Sequence, residues 1–245
     1  MARPASRGVS SLLCGLVLLL ILFPVLEDMA RPMLLIPLVA LVFVTGVIVV
    51  GAPQDRIRKA TALAAAQVGL TTVAMLLRSN PFLYTLSAGA VLAVTCVLIT
   101  YCIYCVLRYV LQAQYISRDQ IYAGISLYLM LGFAFGCIYY LAGILDSGSF
   151  VLNAARQDGS GRLDLMYFSF ITLATLGYGD ITPVTRVARV ATELEALSGT
   201  LYMAVFMARL VALAGGPAAP AALSNKGPNS AGDAETRIAS EERYH

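Results

Sequence analysis

The chain has 245 residues, 59% hydrophobic and 13% charged, with a formal net charge of +3 and a mean hydropathy of +0.78. So apolar a composition excludes an ordinary water-soluble domain and places the chain in a bilayer. The small net charge, without a basic patch interleaved with aromatics, excludes a nucleic-acid partner and leaves membrane lipids as the expected surroundings.

Six apolar stretches run along the chain: Val9 to Leu26, Met33 to Gly51, Ile57 to Leu77, Pro81 to Leu107, Gln120 to Leu145 and Val187 to Leu213. Each is near the roughly twenty residues needed to span the hydrocarbon. The predicted fold class is an all-α integral membrane protein with six transmembrane helices. The basic start and apolar run of the first stretch also suit a cleaved signal peptide. No small-x-small cleavage site follows, and its loss would move Arg56, Arg58 and Lys59 to the outside, so the span is expected to be kept.

Short cytoplasmic loops retain Arg and Lys. Arg3, Arg7, Arg56, Arg58, Lys59, Arg108, Arg118 and Arg209 all fall on one side of a six-span chain. The expectation is a multi-pass cell-membrane protein, in a bacterial inner membrane, with both termini cytoplasmic.

Residues 1–118 form a four-span block. Six spans suggest a voltage sensor, but sensing needs several charges moved through the field, each worth about 2.3 kcal/mol per 100 mV. From Pro81 to Leu107 there is no Arg or Lys. The block reads as a scaffold, a lipid-facing collar or a regulatory site, and the residues do not choose among these. Cys14, Cys96, Cys102, Cys105 and Cys137 all lie in apolar spans, and the sole histidine is His245. The Cys102-Ile103-Tyr104-Cys105 spacing invites a redox or metal role, but lipid-embedded thiols lack the access and partners for it and read as packing residues. With no Ser/His/Asp set and no phosphate-cradling loop, neither an enzyme nor an organic cofactor is expected.

Residues 119–214 form a span-loop-span unit. Between its spans, the apolar segment Leu163 to Thr175 is too short to cross the bilayer and must enter and return. It leads into Thr175-Leu176-Gly177-Tyr178-Gly179-Asp180. Stripping water from a cation requires stacked oxygens, and successive backbone carbonyls face one axis only where alternate residues take left-handed dihedrals, which glycine adopts without steric cost. Gly177 and Gly179 meet that demand.

The stretch Tyr167 to Pro183, YFSFITLATLGYGDITP, resembles the pore segment of the tetrameric potassium channels. The likeness covers about Asp164 to Leu213, with Leu176 where the TVGYG signature has valine. It implies a pore helix over about Leu165 to Ala174, N-capped by Asp164, whose C-terminal carbonyls turn partial negative charge toward the membrane centre. It also implies K⁺, the permeant ion, coordinated by the carbonyls of Thr175, Leu176, Gly177 and Tyr178 and by the Thr175 hydroxyl. Gly179, Asp180, Tyr167, Phe168 and Thr172 would support the filter. Tyr167 and Phe168 stand where many members carry two tryptophans, so the supporting hydrogen bonds are expected to differ. One filter copy per chain implies a homotetramer. The alternatives are a potassium transporter subunit, which usually carries several such loops per chain, and a non-conducting protein that kept the fold.

In the sixth span, Glu193 lies four residues after Arg189, suited to an ion pair on the helix surface. Glu195 and Gly199 share a face and resemble the Glu-x-x-x-Gly of bacterial pore helices, with Glu195 bracing the back of the filter or pore helix. Gly199 resembles the family's hinge glycine, and a close helix contact is the other reading. Thr200, Met203, Met207 and Val211 form one stripe, either lining the lower cavity as a dewetting gate or facing lipid. Residues 215–245, with Gly216-Pro217, Pro220 and Pro228, have the composition of a disordered cytoplasmic tail.

Overall fold

The computed structural model describes residues 8–29, 32–112, 117–152 and 161–214. The helices in chain order are α1 (Val9–Met29), α2 (Pro32–Val49), α3 (Gln54–Leu76), α4 (Pro81–Leu111), α5 (Arg118–Leu145), α6 (Gly161–Leu173) and α7 (Arg186–Ala214). A three-residue 3₁₀ turn, Leu77–Ser79, extends α3. The expected tail, 215–245, lies outside the described residues.

Local chemistry sets the helix starts. Asn80 precedes Pro81, and its side chain accepts from the backbone N–H of Phe82 at 3.2 Å and Leu83 at 3.4 Å, so α4 begins with a capped first turn and a proline that has no N–H to lose. Ser117 caps α5 in the same way, its hydroxyl accepting from Gln120 N–H at 3.3 Å. The α2–α3 connection turns at Gly51, whose φ of +70° disfavours any residue with a Cβ.

Gln54–Ser79, α4, α5 and α7 are long and apolar enough to cross a membrane. α1 and α2 pack into the same bundle. Leu12 and Leu16 of α1, Phe43 of α2, Leu98 and Cys102 of α4 and Phe133 of α5 are all buried in one core. Phe133 links its halves, meeting Phe43 edge-on at 6.2 Å and Phe170 of α6 at 5.5 Å. The four N-terminal helices and the α5–α7 unit therefore share a continuous apolar interior.

The segment between α5 and α7 differs from expectation in two respects. The 13-residue helix α6 is about 20 Å long, too short to cross. It starts at Gly161, so Asp164 lies in its first turn instead of at the cap, where its carboxylate still meets the positive end of the helix. The second difference is a ribbon. β1 (Phe150–Leu152) pairs antiparallel with β2 (Ile181–Pro183), Val151 opposite Thr182. Val184 N–H donates to Ser149 C=O at 2.9 Å and extends the pairing, so the ends of the loop carrying α6 are tied together. Strands this short leave no trace in a search for spanning helices.

Candidate functional site

The segment after α6 has an unusual backbone. Thr175 has φ +58°, Gly177 +51° and Gly179 +73°, and the intervening Leu176 and Tyr178 are not left-handed. Alternating hand along consecutive residues turns successive peptide carbonyls toward one side, where an ordinary strand sends them to opposite sides. The glycines mark two of these positions in the sequence. Thr175 is the third, and nothing in its chemistry announces it, because a β-branched residue at positive φ is strained by about 1–3 kcal/mol. Backbone bonds hold it there: Thr175 N–H donates to Thr172 C=O at 2.9 Å and Leu176 N–H to Ile171 C=O at 2.8 Å.

Those bonds use the C-terminal carbonyls of α6. Phe170 C=O accepts from Ala174 N–H at 3.0 Å, and Leu173 C=O from the Tyr128 hydroxyl of α5 at 3.0 Å. The last turn is thus satisfied by the segment it supports and by one phenol, and the macrodipole acts through carbonyls already engaged.

Behind α6 lies the most deeply buried acid among the described residues. Glu195 of α7 is 0% exposed, with Oε2 accepting from the Tyr139 hydroxyl of α5 and Oε1 in contact with Ser169 Oγ of α6. Ser169 Oγ also lies 2.8 Å from Gly132 C=O of α5. One carboxyl therefore joins the three helices, as a buried polar group must if it is not to remain desolvated and unpaired. Tyr139 and Ser169 drew no attention in the sequence, since only the tertiary fold brings positions 139, 169 and 195 together.

The two aromatics expected to support the filter diverge. Phe168 is buried in a three-ring cluster with Tyr139 at 5.2 Å and Phe150 at 5.6 Å, whereas Tyr167 is 39% exposed. Thr172 is buried and contributes the carbonyl that holds Thr175. Asp180 is exposed, with Oδ1 accepting from Ile181 N–H at 3.1 Å. Leu176 and Tyr178 are exposed as well.

On α7, a Cβ at Gly199 would lie 2.7 Å from Leu173 C=O, so the glycine lets α7 cross the end of α6 closely. The helix runs through it without interruption. Thr200, Met203, Met207 and Val211 are all exposed. The expected Arg189–Glu193 ion pair does not form among the described residues: Arg189 Nε donates instead to Pro183 C=O at 3.3 Å, toward the ribbon.

A family model described as "Ion channel" matches residues 125–214, which takes in most of α5, the ribbon, α6, the 175–180 segment and α7. Protein LctB of Bacillus caldotenax is 33% identical over 99 residues, covering 39% of this chain and 73% of LctB. The chain belongs to the ion channel family. No solved structure matches it. With its long apolar helices, this ion channel is a multi-pass membrane protein. The matched region coincides with the unit that holds the alternating backbone, and α1 to α4 lie outside it.

Proposed function

We propose that the chain is one subunit of a homotetrameric, potassium-selective channel that conducts K⁺ passively. The observation that carries this reading is the alternation of hand at Thr175, Gly177 and Gly179. With alternate residues left-handed, the carbonyls of Thr175, Leu176, Gly177 and Tyr178 and the Thr175 hydroxyl supply one wall of successive oxygen cages. Four copies close each cage around a dehydrated K⁺. The bareness of the site in a single chain supports the stoichiometry: Leu176 is 57% and Tyr178 66% exposed, and only 6% of the α7 window is buried. A closed ring of copies covers such a face.

In this reading all six apolar helices cross a bacterial inner membrane, with both termini and the basic loops cytoplasmic. Glu195 braces α6 from behind, and Met203, Met207 and Val211 line the lower pathway. The test is ion flux into liposomes holding the purified protein. K⁺ and Rb⁺ should enter and Na⁺ should be strongly excluded. Equal Na⁺ and K⁺ permeability would remove the selectivity claim, and no flux at all would favour a non-conducting protein.

A further inference from the structure

Below Gly199, α7 presents two different faces. One is the exposed stripe of Met203, Met207 and Val211. The other walls a cavity of about 350 Å³ with Leu201, Val205 and Phe206, facing Val110 and Leu111 of α4 and Leu131 of α5. The walls are apolar except at the ends, where Ser198 lies at one and Arg209 at the other. Tyr202 also borders the cavity, with its hydroxyl engaged on Gly124 C=O of α5.

The length of this groove suits one kind of occupant. From Ser198 to Arg209, α7 rises by about 16 Å at about 1.5 Å per residue. The hydrocarbon core is about 30 Å thick, so the groove has the depth of one leaflet. A single acyl chain of the surrounding bilayer matches that depth.

The groove's end is basic. Arg209 Nη2 donates to Leu111 C=O at 2.6 Å, which fixes the guanidinium at the C-terminus of α4. Arg108 stands in the last turn of α4 and Arg118 opens α5, on the same side because only a short connection separates the two helices. Arg56 at the start of α3 is there too, 5.9 Å from the Tyr104 ring of α4. The acids of the described helices at this end are Asp55 and the buried Asp119. Basic pockets between transmembrane helices recognise anionic headgroups, while the bilayer supplies the chain.

We infer that this groove is a binding site for an anionic phospholipid of the leaflet on the Arg209 side, with one acyl chain between α4, α5 and α7 and the phosphate on the Arg209 guanidinium. A chain seated there wedges the lower half of α7 against α4 and α5. Its effect on conduction rests on the channel reading above; the binding does not.

The test uses the full chain purified in detergent. Native mass spectrometry with added phosphatidylglycerol or phosphatidylcholine should show phosphatidylglycerol retained on the oligomer and phosphatidylcholine lost. Arg209→Gln should lower that retention about fivefold, the worth of one interfacial cation, with Arg209→Lys intermediate. Leu131→Trp, which fills the groove, should lower retention while leaving the oligomer mass unchanged. Wild-type K⁺ flux should rise when phosphatidylglycerol is mixed into phosphatidylcholine vesicles, and Arg209→Gln should blunt that rise. Equal retention of both lipids, or retention unaffected by both Arg209→Gln and Leu131→Trp, overturns the site. Dissociation of the oligomer by Leu131→Trp also overturns it, by identifying a second copy as the occupant. Phosphatidylglycerol bound by a wild-type protein that carries no flux in either vesicle would leave the lipid site standing and remove the channel reading.

Discussion

α5 and α7 flank the same short segment and are nearly equal in length, at 28 and 29 residues, yet half of the α5 apolar window is buried and only 6% of the α7 window. Glycines explain how α5 is enclosed. A Cβ at Gly132 would lie 2.6 Å from the Phe170 ring, and one at Gly136 would lie 2.6 Å from Met166 Sδ, so α6 side chains seat directly on the α5 backbone. α7 gives one edge to its own chain, through Ala188, Glu195, Gly199, Tyr202 and Phe206. Both helices satisfy the same hydrophobic demand, but α7 satisfies it with what lies beyond one chain: on the tetrameric reading, neighbouring subunits and the ion pathway.

The largest expected effect is at the segment between these helices. Gly177→Ala places a Cβ at φ +51°, a conformation alanine resists, and K⁺ flux into liposomes should fall to background. Leu176→Val should conduct normally, since that side chain contributes only packing. Normal flux in the alanine variant would mean that the alternating backbone is not the conducting element.

The bare face of α7 offers the next test. Leu194 is 54% exposed, and Leu194→Arg puts a charge where the tetrameric reading packs another copy. Native mass measurement should show the tetramer largely replaced by smaller species. An undiminished tetramer would assign that face to lipid.

At the crossing of α6 and α7, Gly199→Ala sets a Cβ against the backbone carbonyl of Leu173, which cannot turn aside as a side chain can. Overpacking of this kind costs about 1–3 kcal/mol. Thermal unfolding of the purified protein should register it. Unchanged stability would show that α7 shifts freely, contrary to a fixed crossing.

Tyr139→Phe or Ser169→Ala removes one of the two hydroxyls on Glu195, a loss of about 1–3 kcal/mol in buried surroundings. The more telling readout is the K⁺ to Na⁺ permeability ratio, which should drop if the carboxyl braces the filter through α6. A lowered unfolding temperature with an intact ratio would reduce Glu195 to a packing role.

The smallest effect concerns the four-helix block. No Arg or Lys lies between Pro81 and Leu107 of α4, and Arg108 is in its last turn, bonded to the Tyr104 hydroxyl at 3.1 Å. Open probability should therefore vary only shallowly with membrane voltage, each charge crossing the field being worth about 2.3 kcal/mol per 100 mV. A slope that demands several charges per channel would contradict this.

The sequence by itself determined the helices and much of the segment from Thr175 to Asp180. The apolar stretches lie within a few residues of helices α1 to α5 and α7 because hydrophobic length is a local signal, and glycine identity marks Gly177 and Gly179 as left-handed without reference to anything distant. Asp164 was misplaced by one turn, since flanking residues set a helix start only loosely. Only the tertiary structure decided the rest. The positive φ of Thr175 depends on carbonyls of α6, the β1–β2 ribbon joins residues far apart in the chain, such as Val151 and Thr182, and the Tyr139–Ser169–Glu195 junction and the Arg209 groove exist only where separate helices meet. Such features depend on which surfaces face one another once the chain has packed, and no periodicity or propensity along the chain encodes that.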